Sequence, residues 1–431
     1  MKVLSKGWSE FFSKRLKNRN STSLKTWQRE RLKMFLLTGF PSYKLENWRY
    51  TDITPIASRT FSFEEITDCD IASFVMEDTH RIVFINGHFS QTLSNLIHLP
   101  PEVQLTSLMA TELKENEQEI MNNITSYQTP FSLLNDGLFQ DGIFLRVSKN
   151  CQLKKPIHLL YLMKSNFPFK MTQTRHLIFL EENSNITLLE EYQGICPTTY
   201  FNNIVTQINV GASANLVFYK LQEENDSSFH IANTQISQAR GSKVTSCCFS
   251  LGGAIGREDL NYALEGHEAS CQLLGFYHLK GGQHIDNHTR VDHNVSRCTS
   301  QQIYKGIISD KSRAVFNGKI LVHPKAEKTV AHQINKNLMF SDKAEVNTKP
   351  ELEIYNNDVK CTHGATVGQL DDEVLFYLRS RGIGRSKAEY LLAYAFASEI
   401  VKKLPHKVIA NRMYQRIKKR LALLNYLENL L

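Results

Sequence analysis

The chain has 431 residues, 42% of them hydrophobic and 22% charged, and its mean hydropathy is −0.32; no apolar run approaches the ~20 residues a membrane-spanning helix needs. The net charge of +8 concentrates at the two ends, in Lys2, Lys6, Lys14, Arg15, Lys17 and Arg19 and in Lys402, Lys403, Lys407, Arg412, Arg416, Lys418, Lys419 and Arg420. No aromatic-interleaved basic motif accompanies it, so it reads as solvated helix faces rather than a nucleic-acid footprint.

Residues 1–40 read as helix. Trp8, Phe11, Phe12 and Leu16 recur at helical spacing, which favours an amphipathic helix over a transit peptide, and no hydrophobic h-region signals secretion. Trp27, Leu32, Phe35 and Leu36 form a second stripe that ends at Gly39 with Pro41 beyond. The aromatic loop Gly39–Ile56, with Tyr43, Trp48 and Tyr50, reads as a docking element pinned onto a core, with ligand binding by Trp48 or Arg49 as the lesser reading. Arg81–Phe89 reads as a strand closed by an Asn-Gly turn. Between about 100 and 140 the pattern turns polar and helical.

From Ile143 to Ile354 short strands follow one another without a helical crossover, which argues against a doubly wound sheet. Polar turn signals precede strands at Ser184, Ser213, Ser242 and Ser270, spaced 29, 29 and 28 residues apart, with weaker echoes at Ser312 and Ala344. A unit of that size carrying strands alone predicts a mainly β fold, a strand solenoid or β-helix whose stacked coils supply the core. The period then changes to amphipathic helix at Glu373–Arg381, at Lys387–Lys403 with a Ser386 cap, and at Asn411–Leu431 with Met413, Ile417, Leu421, Leu424, Leu427 and Leu431 on one stripe. These helices are placed to cap the open end of the solenoid or to bind a partner.

The strand-to-helix junction lies in Asp358–Asp371. Cys361 and His363 sit two apart, so on a strand both point to one face and make half of a metal or cluster site. Gly364 follows, where a backbone can turn or approach another chain closely. An isolated pair of this kind is ordinarily a buried thiol and a hydrogen-bonded imidazole. His278, His284, His288 and His293 are interspersed with Asp286, Asn287 and Asp292, a pattern of inter-coil hydrogen bonding more than of metal binding. Adjacent Cys247 and Cys248 must face opposite sides of a strand. The eight cysteines include no C-x-x-C pair, which argues against a disulfide scaffold and an autonomous zinc or ferredoxin-type site and fits a reducing, cytoplasmic setting. Phosphate-loop, dinucleotide, nucleophile-elbow and zincin templates are missing; Leu251–Leu260 reads as a bend between coils.

The run Lys349–Ile383, KPELEIYNNDVKCTHGATVGQLDDEVLFYLRSRGI, closely resembles the C-terminal signature of the SufD family of iron–sulfur cluster assembly scaffold subunits. Tyr304–Val322, Ala326–Ser341 and Glu46–Thr51 (ENWRYT) match the same family. The resemblance implies a right-handed parallel β-helix core with helical ends, here an N-terminal region 1–142, a core 143–363 and a C-terminal helical domain 364–431. It implies a subunit that is not an enzyme and binds no nucleotide. Its partners would be SufB, paired through the β-helix, and the ATPase SufC, held by the C-terminal helices, for which Phe376, Tyr377, Arg379 and Arg381 are the candidate contacts. His363 and Cys361 would hold iron or a transient cluster shared with SufB. The same edge strands would serve to pair two copies of an isolated chain. The alternative is a structural adaptor that docks SufB and SufC and contributes no ligand. Asn356-Asn357 and Glu327 with Val330 depart from the family's usual residues.

Overall fold

The computed structural model describes residues 6–17, 22–64, 68–108, 124–125 and 127–422. Its centre is a two-sheet parallel solenoid, in which successive strands alternate between two ten-stranded sheets. Sheet A runs through Val103–Ser107, Asp141–Val147, Lys170–Leu180, Tyr200–Val210, Phe229–Gln238, Ile255–Leu264, His284–His293, Arg313–Val322 and Glu345–Ile354, with Ser62–Phe63 beside Lys170–Leu180. Sheet B runs through His88–Asn95, His80–Ile85, Ile157–Met163, Asn185–Gly194, Asn215–Glu223, Lys243–Ser250, Ser270–Leu279, Thr299–Ile308, Thr329–Met339 and Val359–Gln369. The strand solenoid expected from the spacing is therefore present. Its sheets begin ahead of residue 143 and continue past residue 363.

The repeat has a local cause. Asn183, Ser213, Gly241, Glu268, Arg297 and Lys328 adopt positive φ, and each is followed by a small buried residue: Ser184, Ala214, Ser242, Ala269, Cys298 or Thr329. Where that residue has a hydroxyl it bonds back to a carbonyl three residues earlier, as Ser184 Oγ does to Glu181 O at 2.6 Å and Ser242 Oγ to Ala239 O at 2.6 Å. Such a side-chain turn satisfies the backbone while the chain reverses. The coil is looser than the even spacing suggested, from 27 residues between the register partners Lys243 and Ser270 to 31 between Thr299 and Val330. Ser312 and Ala344 precede sheet A strands, whereas the four stronger signals precede sheet B strands. The echoes belong to the opposite corner of the coil.

Inward-facing positions of both sheets form one apolar column, including Leu145, Ile178, Leu188, Ile208, Phe218, Leu260, Leu273 and Phe316. Burying each large side chain is worth roughly 1.5–3 kcal/mol, so stacking coils stabilises what no coil could alone. Cys248 lies in this column and Cys247 on the outer side of sheet B, as period-2 geometry demands. The column also encloses Lys220, whose Nζ lies 2.6 Å from Glu258 Oε2 and 3.9 Å from Glu190 Oε2. Tyr192 and Thr234 donate to these two carboxylates. This buried polar group fastens the coils from inside and was not foreseen.

The N-terminal part reads as two helices, α1 (Lys6–Lys17) and α2 (Ser23–Thr38), the second capped by Thr22 and ended at Gly39, whose φ is 65°. Trp8, Phe12, Leu32 and Phe35 pack with Phe131, Phe201 and Phe229 on the outer face of sheet A. Trp48 pins the aromatic loop: it is buried beneath Arg257, whose guanidinium carbon sits 3.8 Å from the ring centroid and whose Nη1 reaches Asn47 O at 2.7 Å. The predicted turn appears as Asn86-Gly87, both at positive φ, between antiparallel His80–Ile85 and His88–Asn95. The stretch 100–140 departs from expectation. It holds the strand Val103–Ser107 and one helix, α3 (Pro130–Leu138), while residues 109–123 lie outside the described residues. Val103 and Leu105 point inward over the first coil, and the antiparallel pairing with Asp141–Val147 takes precedence over local helix propensity.

Close packing at that end gives a first prediction. A Cβ on Gly142 would stand 1.5 Å from the Arg175 carbonyl oxygen, a backbone atom that cannot move without breaking the ladder. Gly142→Ala is expected to cost about 3 kcal/mol or more, read as a lowered urea midpoint of the full chain.

The C-terminal helices are α4 (Asp372–Ser380), α5 (Arg385–Val401) and α6 (Lys407–Ala422). Residues 423–431, with Leu424, Leu427 and Leu431, lie outside the described residues. The cap of α5 is Gly384, without a side-chain bond, rather than Ser386. These helices do not close the end of the solenoid. Ala393, Ala397, Ile400, Ile409, Met413, Ile417 and Leu421 instead pack on the outer face of sheet B, against Leu189, Tyr219, Leu221, Phe249, Leu274 and Phe276. The apolar outer face of sheet B offers more surface than the polar last coil, so burial draws the helices sideways. The end stays open. Among the described residues no helix is long and apolar enough to cross a membrane.

Candidate functional site

Val359–Gln369 is the last strand of sheet B and pairs along one edge only, with Thr329–Met339. Glu345–Ile354 ends sheet A in the same way. Two unpaired parallel edges at one end of a solenoid are an invitation to another strand. Most side chains of the last strand are exposed on both faces.

The register pairs Cys361 with Ala331 and His363 with Gln333. Both candidate donors therefore stand on the inward face of the open coil, about 6.6 Å apart along the strand. The strand does not turn at Gly364. It runs on to Gln369, and the change to helix comes at Asp371, whose carboxylate caps α4 by accepting from the Glu373 and Val374 N–H groups at 2.9 and 3.3 Å. Nothing lies within 4 Å of the Cβ positions of Gly364 or Gly368, so of the two roles open to Gly364, the close approach of another chain is the one the geometry permits.

The two donors differ. Cys361 is half-buried against Ile320, Val322, Ala326 and Ala331, and burial pushes its thiol up, partly offset by the Ala331 backbone. As a protonated thiol it becomes a ligand only by giving up its proton to the metal that binds. His363 is exposed. Among the described residues no three His, Cys, Asp or Glu side chains come together to hold a metal, so this chain presents an incomplete donor set.

The histidine-rich stretch is dispersed by the coils. His284 Nε2 meets Thr51 Oγ1 at 2.9 Å, His288 Nε2 meets Asp286 Oδ1 at 2.9 Å, and His293 Nε2 meets Ser300 Oγ at 2.9 Å. His278 is buried beneath α6, where burial and Arg420 hold its imidazole well below the usual range. These contacts fasten strands and loops together.

The four candidate contact residues lie on or beside α4. Leu375 anchors that helix at 8% exposure, while Phe376 and Tyr377 are 73% and 56% exposed. Arg379 and Arg381 are exposed too, and Arg381 lies over the Tyr377 ring at 5.3 Å. Two uncovered aromatic rings on one short helix form a patch suited to a protein partner.

Two features of this end escaped sequence reasoning. One is the fastening of α6: Arg412 grips the buried Glu191 at 2.7 and 2.8 Å, and Arg416 reaches Glu223 at 3.3 Å. The four-residue spacing of Arg412, Arg416 and Arg420 was the available signal, read only as a solvated face. The other is Gln333, which lies beneath His363 in the ladder and is 1% exposed. Amides at alternate positions 333, 335 and 337 of one strand mark a polar interior at the end coil.

The sequence matches the SUF system FeS cluster assembly SufBD core domain over residues 161–396 and the SufBD protein N-terminal region over 7–159. An iron–sulfur cluster assembly SufBD family protein of Synechocystis is 35% identical, covering 87% of this chain and 86% of its own. The iron–sulfur cluster assembly protein SufD of Escherichia coli is 33% identical over 91% of this chain and 92% of its own, and the SufD of Bacillus subtilis is 25% identical over 88% of each. With a solenoid of this build and a family match across both its core and its N-terminal region, the chain belongs to the SufBD family of iron–sulfur cluster assembly proteins.

Proposed function

We propose that this chain is the SufD-type subunit of a cluster assembly scaffold. It pairs edge to edge with a SufB-type subunit at the open end of its solenoid, holds a SufC-type ATPase on α4, and hydrolyses no nucleotide itself. The observation that carries the reading is the placement of Cys361 and His363 on one face of an edge strand that has no partner among the described residues. A paralogue adding its own edge strand would bring further donors onto that same face. Iron and sulfide are the cargo. Soft thiolate and neutral imidazole suit iron in such a setting, and the half-set explains why the site needs two chains. Motion of the ATPase pair would reach the open end through α4, which follows the ligand strand after a single turn.

The test is anaerobic co-purification of the full chain with SufB- and SufC-type partners, with iron and sulfide counted on the complex. A complex without iron or sulfide would refute the assembly role. Phe376→Asp with Tyr377→Ala is expected to weaken ATPase retention at least ~100-fold, since buried aromatic anchors cost 2 kcal/mol or more when lost, with the thermal midpoint unchanged because both rings are exposed. Retention at the wild-type level would remove α4 from the interface.

The half-burial of Cys361 against Ile320, Val322 and Ala326 favours a second reading for that residue alone, as a packing thiol in an adaptor. Cys361→Ser and His363→Ala complexes that both keep full cluster content would establish it.

A further inference from the structure

Inside the last coils the side-chain amides form a directional ladder. Gln302 Nε2 donates to Thr289 Oγ1 across the interior, and Gln333 Nε2 donates to Gln302 Oε1 at 3.0 Å. In each step the residue nearer the open end gives an N–H to the oxygen behind it. The polarity leaves one acceptor over. Gln333 Oε1 is buried and has no hydrogen-bond partner among the described residues. A buried amide oxygen left without a donor costs about 1–3 kcal/mol.

The next position in the register beyond Gln333 is His363. Gln333 is also held in place from the opposite sheet: a Cβ on Gly318 would stand 1.7 Å from Gln333 Nε2, so only glycine there leaves room for this amide. The ladder thus runs from Thr289 through Gln302 and Gln333, each acceptor taking a donor from the residue one step nearer the end, and the residue at its end carries a ring N–H.

We infer that Gln333 is the positioning residue for His363: its free Oε1 accepts one imidazole N–H and so leaves the lone pair of the other ring nitrogen facing the open end. The inference rests on the reading of His363 as a donor to iron, and it specifies the state in which that donor is presented. A neutral imidazole with one nitrogen committed to a carbonyl oxygen has a defined tautomer and orientation, the arrangement that outer-shell partners impose on metal-binding histidines. The ladder delivers this from within the fold, before any partner arrives, because its other members are buried.

The test uses the full chain labelled with ¹⁵N-histidine, with the His363 ring signals identified by their loss in His363→Ala. In the wild type one tautomer dominates. Gln333→Met, which keeps volume and removes the acceptor, converts His363 to a mixture of both tautomers; Gln333→Glu, which keeps an acceptor oxygen, restores the single form. In the anaerobic complex Gln333→Met lowers iron content about 10- to 100-fold, the usual cost of losing an outer-shell partner, and Gln333→Glu recovers it. Identical His363 ring signals in the wild type and Gln333→Met would overturn the inference whatever the iron content. Full iron content in His363→Ala would instead overturn the ligand role while leaving the tautomer result to stand. The two failures are therefore separable.

Discussion

His363→Ala is expected to reduce cluster content of the purified complex to background while the complex itself forms at the wild-type level. The two halves of that expectation have separate physical grounds. His363 is exposed on the last strand and pairs through its backbone alone, so truncating its side chain should change stability by no more than about 0.5 kcal/mol. Its imidazole is one of only two soft donors on the inward face of the open coil, and a half-set reduced to one thiol cannot hold iron against water and thiol competitors. Cys361→Ser is the comparison. The Cys361 thiol is pushed up by burial and packs on an apolar cluster, so its replacement should lower cluster content and also cost some stability. Iron and sulfide counts on complexes matched for subunit ratio check both. Normal cluster content in His363→Ala would leave the chain as a docking subunit.

Glu191→Ala is expected to loosen α6 from the solenoid and to destabilise the chain by about 3 kcal/mol at neutral pH. Glu191 has no exposed side-chain surface, and three bases converge on it: His158 Nε2 at 3.1 Å, Arg412 at 2.7 Å and Arg416 at 3.5 Å. Burial alone would push the carboxyl up, but His158 and Arg412 outweigh it and hold it at about 2. A drop of this size from the ordinary value near 4.5 corresponds to about 3 kcal/mol, in keeping with about 3–5 kcal/mol for breaking a buried pair. The sign follows from the depressed value. The stabilisation is complete above the unfolded carboxyl's range and is lost as pH falls from about 4.5 towards 2. Urea midpoints of wild type and Glu191→Ala should therefore differ most at neutral pH and converge near pH 2. A constant difference across that range would show that the loss is one of packing alone.

The fold and the site were legible to different depths. Composition, an alternating pattern without helical crossovers and a turn signal near every 29 residues carry the solenoid, because a coil of this kind repeats its corners and each corner demands a small residue after a positive-φ turn. The Asn-Gly hairpin and the amphipathic N-terminal helices were legible for the same reason: backbone sterics and local periodicity act over a few residues. Cys361 and His363 were legible as a pair because the two-residue strand repeat puts them on one face.

What the linear chain left open was decided by surfaces that meet across a hundred residues or more. Helical periodicity shows that α5 and α6 each have an apolar face, but only competition between an apolar sheet and a polar last coil sends that face to sheet B and leaves the ligand strand exposed. The stretch at Val103–Ser107 becomes strand because the first coil needs covering. Glu191 meets Arg412, and Gln333 comes to lie under His363, through coil register, which counts residues around corners of unequal length. For this protein the amino-acid sequence determined the repeating coil and the two donors. The tertiary structure decided which end of the coil is open, and which buried amide stands behind the histidine there.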